Sequence, residues 1–306
     1  MKRVLLTGAS GFVGRHTVDA LLARDYEVHA VSSVARSTAS GLTWHQANLL
    51  DLAAGPSLVS RLQPTHLLHL AWYAEPGKYW QSPLNLAWQA ASLVLLEAFA
   101  ANGGRRAVTA GTCAEYDWSH GFCTERVTPC LPHSLYGTSK HALAQTLEAH
   151  ALQASLSSAW ARLFLLYGPH EAPVRLVPSV IRSLLEGQPA LCTHGRQLRD
   201  FLHVADVADA LCALLDSPVE GPVNIASGQP TALADVVHEI AHQLERPDLV
   251  RLGALPSPQA DPPLLVGNCA RLRDEVGWKP RHSLPDGLAD TVSWWRARGL
   301  ASSEPA

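Results

Sequence analysis

The chain has 306 residues, 47% hydrophobic and 17% charged, enough for one large packed domain or a core domain with a smaller partner. Its net charge is -3, and no Lys/Arg run or basic stripe stands out. A nucleic-acid footprint is therefore excluded, and no nucleic acid is expected among its partners.

Six cysteines (Cys113, Cys123, Cys130, Cys192, Cys212, Cys269) form no C-x-x-C pair and no regular spacing. They read as free thiols of a reducing compartment, not as a disulfide framework or a zinc site. The first apolar run, Val4 to Leu6, stops at Thr7-Gly8, too short for the core of a leader peptide. No stretch approaches the roughly eighteen apolar residues of a membrane span. These features predict a cytoplasmic chain with no membrane partner.

In chain order, Lys2 to Thr7 is predicted as a strand and Phe12 to Arg24 as an amphipathic helix. Strands follow at Glu27 to Ser32, Leu42 to Gln46, His66 to Ala71, Arg106 to Ala110 and Ser158 to Leu166. Helices are predicted over Leu84 to Asn102 and Tyr136 to Ala154. Nearly all-apolar strands separated by helices indicate a parallel sheet covered on both faces. Right-handed crossovers then give a doubly wound, Rossmann-type α/β domain over residues 1–167. Beyond it Gly168-Pro169, Pro173, Pro178, Gly187 and Pro189 break the alternation. Residues 168–306 are expected to form a smaller α+β substrate-binding lobe, partly interleaved with the first.

Gly8, Gly11 and Gly14 lie between the first strand and the first helix, with Ser10, Phe12 and Val13 among them. Glycines there allow a sharp turn and a close approach to a pyrophosphate, and the helix N-terminus adds amide donors. A bare glycine pattern also arises for steric reasons alone; its position after a strand and before a helix gives it weight. The second strand ends Val31-Ser32-Ser33-Val34-Ala35-Arg36, with no acid for the adenosine ribose. Ser32, Ser33 and Arg36 suit a 2′-phosphate, so NADP(H) is expected, with Arg15 a possible addition and NAD(H) left open.

Tyr136 and Lys140 stand i,i+4 on one face of a predicted helix. A lysine one turn away, and a positive nicotinamide ring, favour a phenolate and let Tyr136 exchange a proton with a sugar hydroxyl or ketone. Thr112 follows the strand Ala107 to Ala110, where its hydroxyl is placed to share that proton; an isolated threonine would merely satisfy a turn.

Together these elements resemble the extended short-chain dehydrogenase/reductase family, in its nucleotide-sugar epimerase, dehydratase and ketoreductase branch. His69-Leu70-Ala71, Tyr136 with Lys140, Arg199-Asp200-Phe201-Leu202-His203-Val204, Asn224-Ile225-Ala226-Ser227-Gly228 and Gly277-Trp278-Lys279-Pro280 carry the resemblance over nearly the whole chain. It implies that Asn48, Leu49, Leu70 and Ala71 line the cofactor, that Arg199 meets a nucleotide diphosphate, and that Leu176 and Val177 border the base. The family's sugar 4,6-dehydratases carry Thr-Asp-Glu where this chain has Thr112-Cys113-Ala114, which argues against dehydration and sets Cys113 beside the substrate. Leu165 stands where an asparagine is usual, and a late diphosphate-binding arginine has no counterpart in Pro256 to Leu265.

Trp72, Tyr73, Lys78, Tyr79 and Trp80 make an aromatic loop where the sugar is expected. It either stacks on the substrate or closes the cleft as core. His66/His69 and His238/His242 show strand or helix spacing with no third ligand, so no metal is expected. The expected activity is an NADPH-dependent ketoreductase acting on a nucleotide-linked 4-keto-6-deoxysugar. The alternatives are an epimerase with tightly held NAD(P) and a non-catalytic NADP-binding protein. Small and apolar residues on several faces of the helices near 84–102 and 136–154 predict a homodimer.

Overall fold

The computed structural model describes residues 2–257 and 261–299. Strand β1 (Lys2–Thr7) leads into α1 (Phe12–Leu22), β2 (Tyr26–Ser32), β3 (Leu42–Gln46), α2 (Ala54–Leu62) and β4 (His66–His69). Next come α3 (Leu84–Ala101), β5 (Arg106–Thr112), β6 (Phe122–Cys123), α4 (Leu135–Ala154), β7 (Ser157–Leu163) and β8 (Leu165–Tyr167). The remainder holds α5 (Leu176–Leu185), β9 (Ala190–Leu191), β10 (Leu198–His203), α6 (Val204–Asp216), β11 (Gly221–Ile225) and β12 (Pro230–Ala232). Helix α7 (Leu233–Gln243), β13 (Val250–Arg251), β14 (Leu264–Gly267) and α8 (Leu284–Ala297) complete it.

Seven strands form one parallel sheet in the order β11-β7-β5-β4-β1-β2-β3. Strand β1 shows why both faces are covered. Val4 and Leu6 pack with Val18 and Leu21 of α1 and Leu211 of α6, while Leu5 packs with Leu95 and Phe99 of α3 and Leu143 of α4. Three consecutive apolar residues, Val4 to Leu6, cannot leave either face in water, so the doubly wound Rossmann-type α/β fold results. The strand order reverses at β1, between β4 and β2, and the crevice beyond the carboxyl ends there is where such sheets take ligands.

A second sheet, β12-β10-β14-β6 with β8 beside β10, lies with α5, α7 and α8, which share a core around Ile181, Ile240 and Leu288. Two C-terminal elements return to the large sheet: β11 pairs with β7, and α6 joins the core on the α1 face.

Three sequence expectations change. The strand expected over Ser158 to Leu166 is two strands, because Leu163 still pairs in the large sheet while Leu165 pairs with Phe201 in the second. Helix α2 has no counterpart among the expected elements; its Pro56 falls in the first turn, where proline is tolerated. Helix α3, at 18 residues and mean hydropathy 1.4, is long and apolar enough by length and composition to cross a membrane, contrary to the sequence reading. Here its Leu95, Leu96 and Phe99 are core, and Asn85 and Ser92 hydrogen-bond inside the fold.

Candidate active site

The turn between β1 and α1 is built for close approach. Gly8 has a φ of 70°, and a Cβ on it would stand 2.7 Å from Ala71 N. A Cβ on Gly14 would stand 2.1 Å from the Gly8 carbonyl oxygen, so glycine alone lets α1 start against the strand end. The N-cap of α1 is Gly11, which offers no side chain to the first-turn amides. Those donors and the positive helix end fit a dinucleotide pyrophosphate. Gly8, Ser10, Gly11, Phe12, Val13, Gly14, Ser32, Ser33, Asn48, Leu49, Leu70 and Ala71 together line one half of a cleft of 870 Å3.

Arg36 is not among the lining residues. Its guanidinium lies 5.3 Å from the Trp44 ring centroid, with Nε 3.4 Å from Ser32 Oγ. Arg15 folds back, donating to Ser10 O at 3.0 Å and Gly11 O at 3.3 Å. Among the described residues lining this end of β2, none is acidic; Glu27, at the strand's other end, pairs with Arg3 at 2.9 Å.

The other half of the cleft starts at the end of β5. Thr112 Oγ1 accepts from Ala114 N at 3.2 Å, and Thr112 N donates to Glu115 Oε1 at 2.8 Å, a reciprocal cap on the short turn that follows. Glu115 is fully buried and also accepts from Trp160 Nε1 at 2.8 Å and Arg162 Nε at 2.9 Å. Ser134 caps α4 by accepting from Gly137 N at 3.1 Å. That start sets Tyr136 and Lys140 one turn apart facing β5, and Lys140 Nζ donates to Ala110 O at 2.8 Å. Thr112, Tyr136 and Lys140 thus come together on one wall of the cleft.

Without the nicotinamide ring, neither Tyr136 nor Lys140 has its ordinary proton affinity. Burial pushes the Tyr136 phenol well above its usual value, with the Thr112 hydroxyl pulling the other way. Burial likewise pushes the Lys140 ammonium down to about 7, against the attraction of Glu115. Tyr136 is a proton donor in this state.

The aromatic loop is divided. Trp72, Tyr79 and Trp80 line the cleft, and Tyr136 meets Tyr79 edge-on at 4.9 Å and Trp80 at 5.8 Å between ring centroids. Trp118 joins them, its indole donating to Cys113 O at 2.8 Å. Tyr73 and Lys78 are not among the lining residues; both pair with Glu75, at 2.9 Å and 2.5 Å. Cys113 lines the cleft with its thiol pushed up by burial. At the far end stand Leu176, Val177 and Arg199; Arg199 is buried, donates to Leu198 O at 2.8 Å and pairs with Asp261. Part of the stretch Pro256 to Leu265 lies outside the described residues.

Sequence reasoning missed Glu171, Arg175 and Trp118 as cleft residues. For Glu171 a signal existed: an acid just after Gly168-Pro169, in a loop leaving the carboxyl end of a strand. Of the histidines weighed as ligands, His69 is buried between Thr7 Oγ1 at 2.7 Å and Ser92 Oγ at 2.8 Å, and burial pushes it down to about 3.

The model of the NAD dependent epimerase/dehydratase family matches residues 4–226. The chain belongs to this family. It is 25% identical to a UDP-glucose 4-epimerase of Rhizobium meliloti (strain 1021), over 96% of this chain and 97% of that one. Among solved structures it is similar to a Thermus thermophilus UDP-glucose 4-epimerase in complex with NAD, at TM-score 0.84 and 26% identity over 96% of this chain and 99% of the other. It is also similar to MoeE5 in complex with UDP-glucuronic acid and NAD, at TM-score 0.81 and 29% identity over 96% and 99%. This family member therefore sits within the extended short-chain dehydrogenase/reductase enzymes, in the nucleotide-sugar branch.

Proposed function

We propose that the chain is a nicotinamide-dependent ketoreductase acting on a nucleotide-linked 4-keto-6-deoxysugar. The observation that carries this reading is the wall beside Tyr136. Cys113 and Ala114 face the cleft without a carboxylate, and Glu115 is turned into Trp160 and Arg162. That wall offers a proton to a ketone but no acid pair for eliminating water. The bound dinucleotide supplies the hydride; Gly8, Ser10, Gly11, Ser32, Ser33 and Asn48 are the residues that would hold it. Tyr136 gives its proton to the keto oxygen, Thr112 hydrogen-bonds that oxygen, and Lys140 orders the site through Ala110 and Trp72. Arg199 takes the nucleotide diphosphate, and Leu176 and Val177 at the start of α5 border the base.

NADP(H) is the cofactor we favour, from the acid-free end of β2, although the related structures hold NAD. A lower KM for NADH than for NADPH would reverse that choice. The six free cysteines support a reducing, cytoplasmic setting. Apolar residues exposed on helix α3, such as Leu86 at 56%, support a homodimer, which sedimentation showing only a 33 kDa species would refute.

The deciding experiment supplies nucleotide 4-keto-6-deoxysugars with NADPH or NADH. Steady consumption of reduced cofactor that vanishes in Tyr136→Phe supports a ketoreductase. No consumption, with cofactor retained through purification and inversion of a sugar carbon, would instead make it an epimerase.

A further inference from the structure

Glu171 is a cleft residue that the proposed chemistry leaves unused. It lies between β8 and α5, its amide donating to Gly168 O at 3.2 Å, directly after His170, whose φ is 72°. Contacts clamp this segment to the cofactor half: His16 Nε2 donates to Pro169 O at 3.1 Å, and Arg15 bonds His170, whose ring lies 4.6 Å from Trp294 of α8. Toward the other half, Arg175 stands 5.7 Å over the Tyr79 ring, which in turn meets Tyr136. Glu171 is thus carried where the glycine turn and the aromatic wall approach each other. It lines the cleft, yet its Oε2 is closed off from solvent with no hydrogen-bond partner among the described residues.

A buried polar oxygen without a partner is costly, and native folds rarely keep one without a use. We propose that Glu171 is a ligand-contacting residue, presenting a carboxylic-acid hydrogen bond to an acceptor oxygen of a bound nucleotide, either the cofactor or the nucleotide-linked sugar. For the second ligand this rests on the function proposed above; for the first it does not. Burial pushes the carboxyl up to about 8, with Arg175 pulling against it, so the donor form prevails at neutral pH. Of the other titratable groups nearby, Arg15 and His16 of α1 face His170 and Pro169, while Tyr136 and Lys140 of α4 line the cleft opposite.

The test titrates the native protein, Glu171→Gln and Glu171→Ala with NADPH and, separately, with UDP-glucose between about pH 6 and pH 9.5. Affinity of the native protein for at least one probe should fall by up to about tenfold per pH unit above about 8. Glu171→Gln keeps a donor that does not titrate, so it should match native affinity at the acidic end and lose that fall. Glu171→Ala should bind about tenfold more weakly there, with an unchanged melting temperature. The extra slope appearing with NADPH alone places the acceptor on the cofactor; with UDP-glucose alone, on the sugar nucleotide. Parallel pH profiles for native and Gln proteins with both probes would overturn the proposal, as would native-like binding by Glu171→Ala. Failure of UDP-glucose and related sugars to bind would count against the proposed function, while the NADPH titration would still decide the role of Glu171.

Discussion

The Lys140 ammonium nitrogen stands 3.8 Å from the centroid of the Trp72 ring. The Ala110 carbonyl accepts from it, and no carboxylate pairs with it among the described residues. A ring face and one carbonyl replace little of the water that an ammonium loses on burial, which is why Lys140 is pushed down to about 7.

That shift has a signed consequence for stability. Between about 7 and the ordinary 10.5 the unfolded chain holds a proton that the folded chain does not, so stability rises with pH across this window. The cost of Lys140 is fully present below about 7 and is relieved as pH climbs to its ordinary value. Without cofactor, Lys140→Met should therefore raise the urea midpoint below pH 7 and flatten the rise above it. Equal slopes for native and variant protein would show the lysine to be ordinary.

Removing the ring leaves the lysine in place but unsupported. Trp72→Leu should lower turnover by about 2- to 30-fold, the range expected for a desolvated cation–ring contact of about 0.5–2 kcal/mol. Tyr136→Phe removes the proton donor itself and should cost about 10²–10⁴ in turnover, with cofactor affinity unchanged. Steady-state rates, with cofactor binding followed by fluorescence, separate the two effects.

Glu115 bonds the Thr112 amide, the Trp160 indole and the Arg162 guanidinium from a fully buried position. Glu115→Gln keeps the shape but leaves Arg162 as a buried charge without its counter-ion. The expected loss is about 3–5 kcal/mol by denaturant unfolding. A loss below about 1 kcal/mol would mean that water reaches this network.

Gly14→Ala tests the phosphate turn. The added methyl would stand 2.1 Å from Gly8 O and 2.7 Å from Ala9 Cα, both backbone, so no side chain can swing aside. A shift of α1 away from β1 should cost about 1–3 kcal/mol and weaken dinucleotide binding at the same time. Unchanged binding of NADPH and NADH would move the pyrophosphate away from this turn.

What the sequence determined by itself were the parts specified over a few neighbouring residues. The strand, glycine turn and helix from Lys2 to Leu22 follow from period and from sterics at Gly8 and Gly14. The one-turn spacing of Tyr136 and Lys140 follows from helical geometry, and the absence of acids at Cys113 and Ala114 is plain composition. Tertiary structure alone decided which side chains of the loop from Trp72 to Trp80 face the cleft, and that Arg36 goes to Trp44. It also split the strand at Phe164 between two sheets and carried Glu171, far from Tyr136 in the chain, to the same cleft. The charge states of Tyr136, Lys140 and Glu171 belong with these. Each depends on how much water distant segments exclude and on which charges they bring near, quantities that no local pattern of residues encodes.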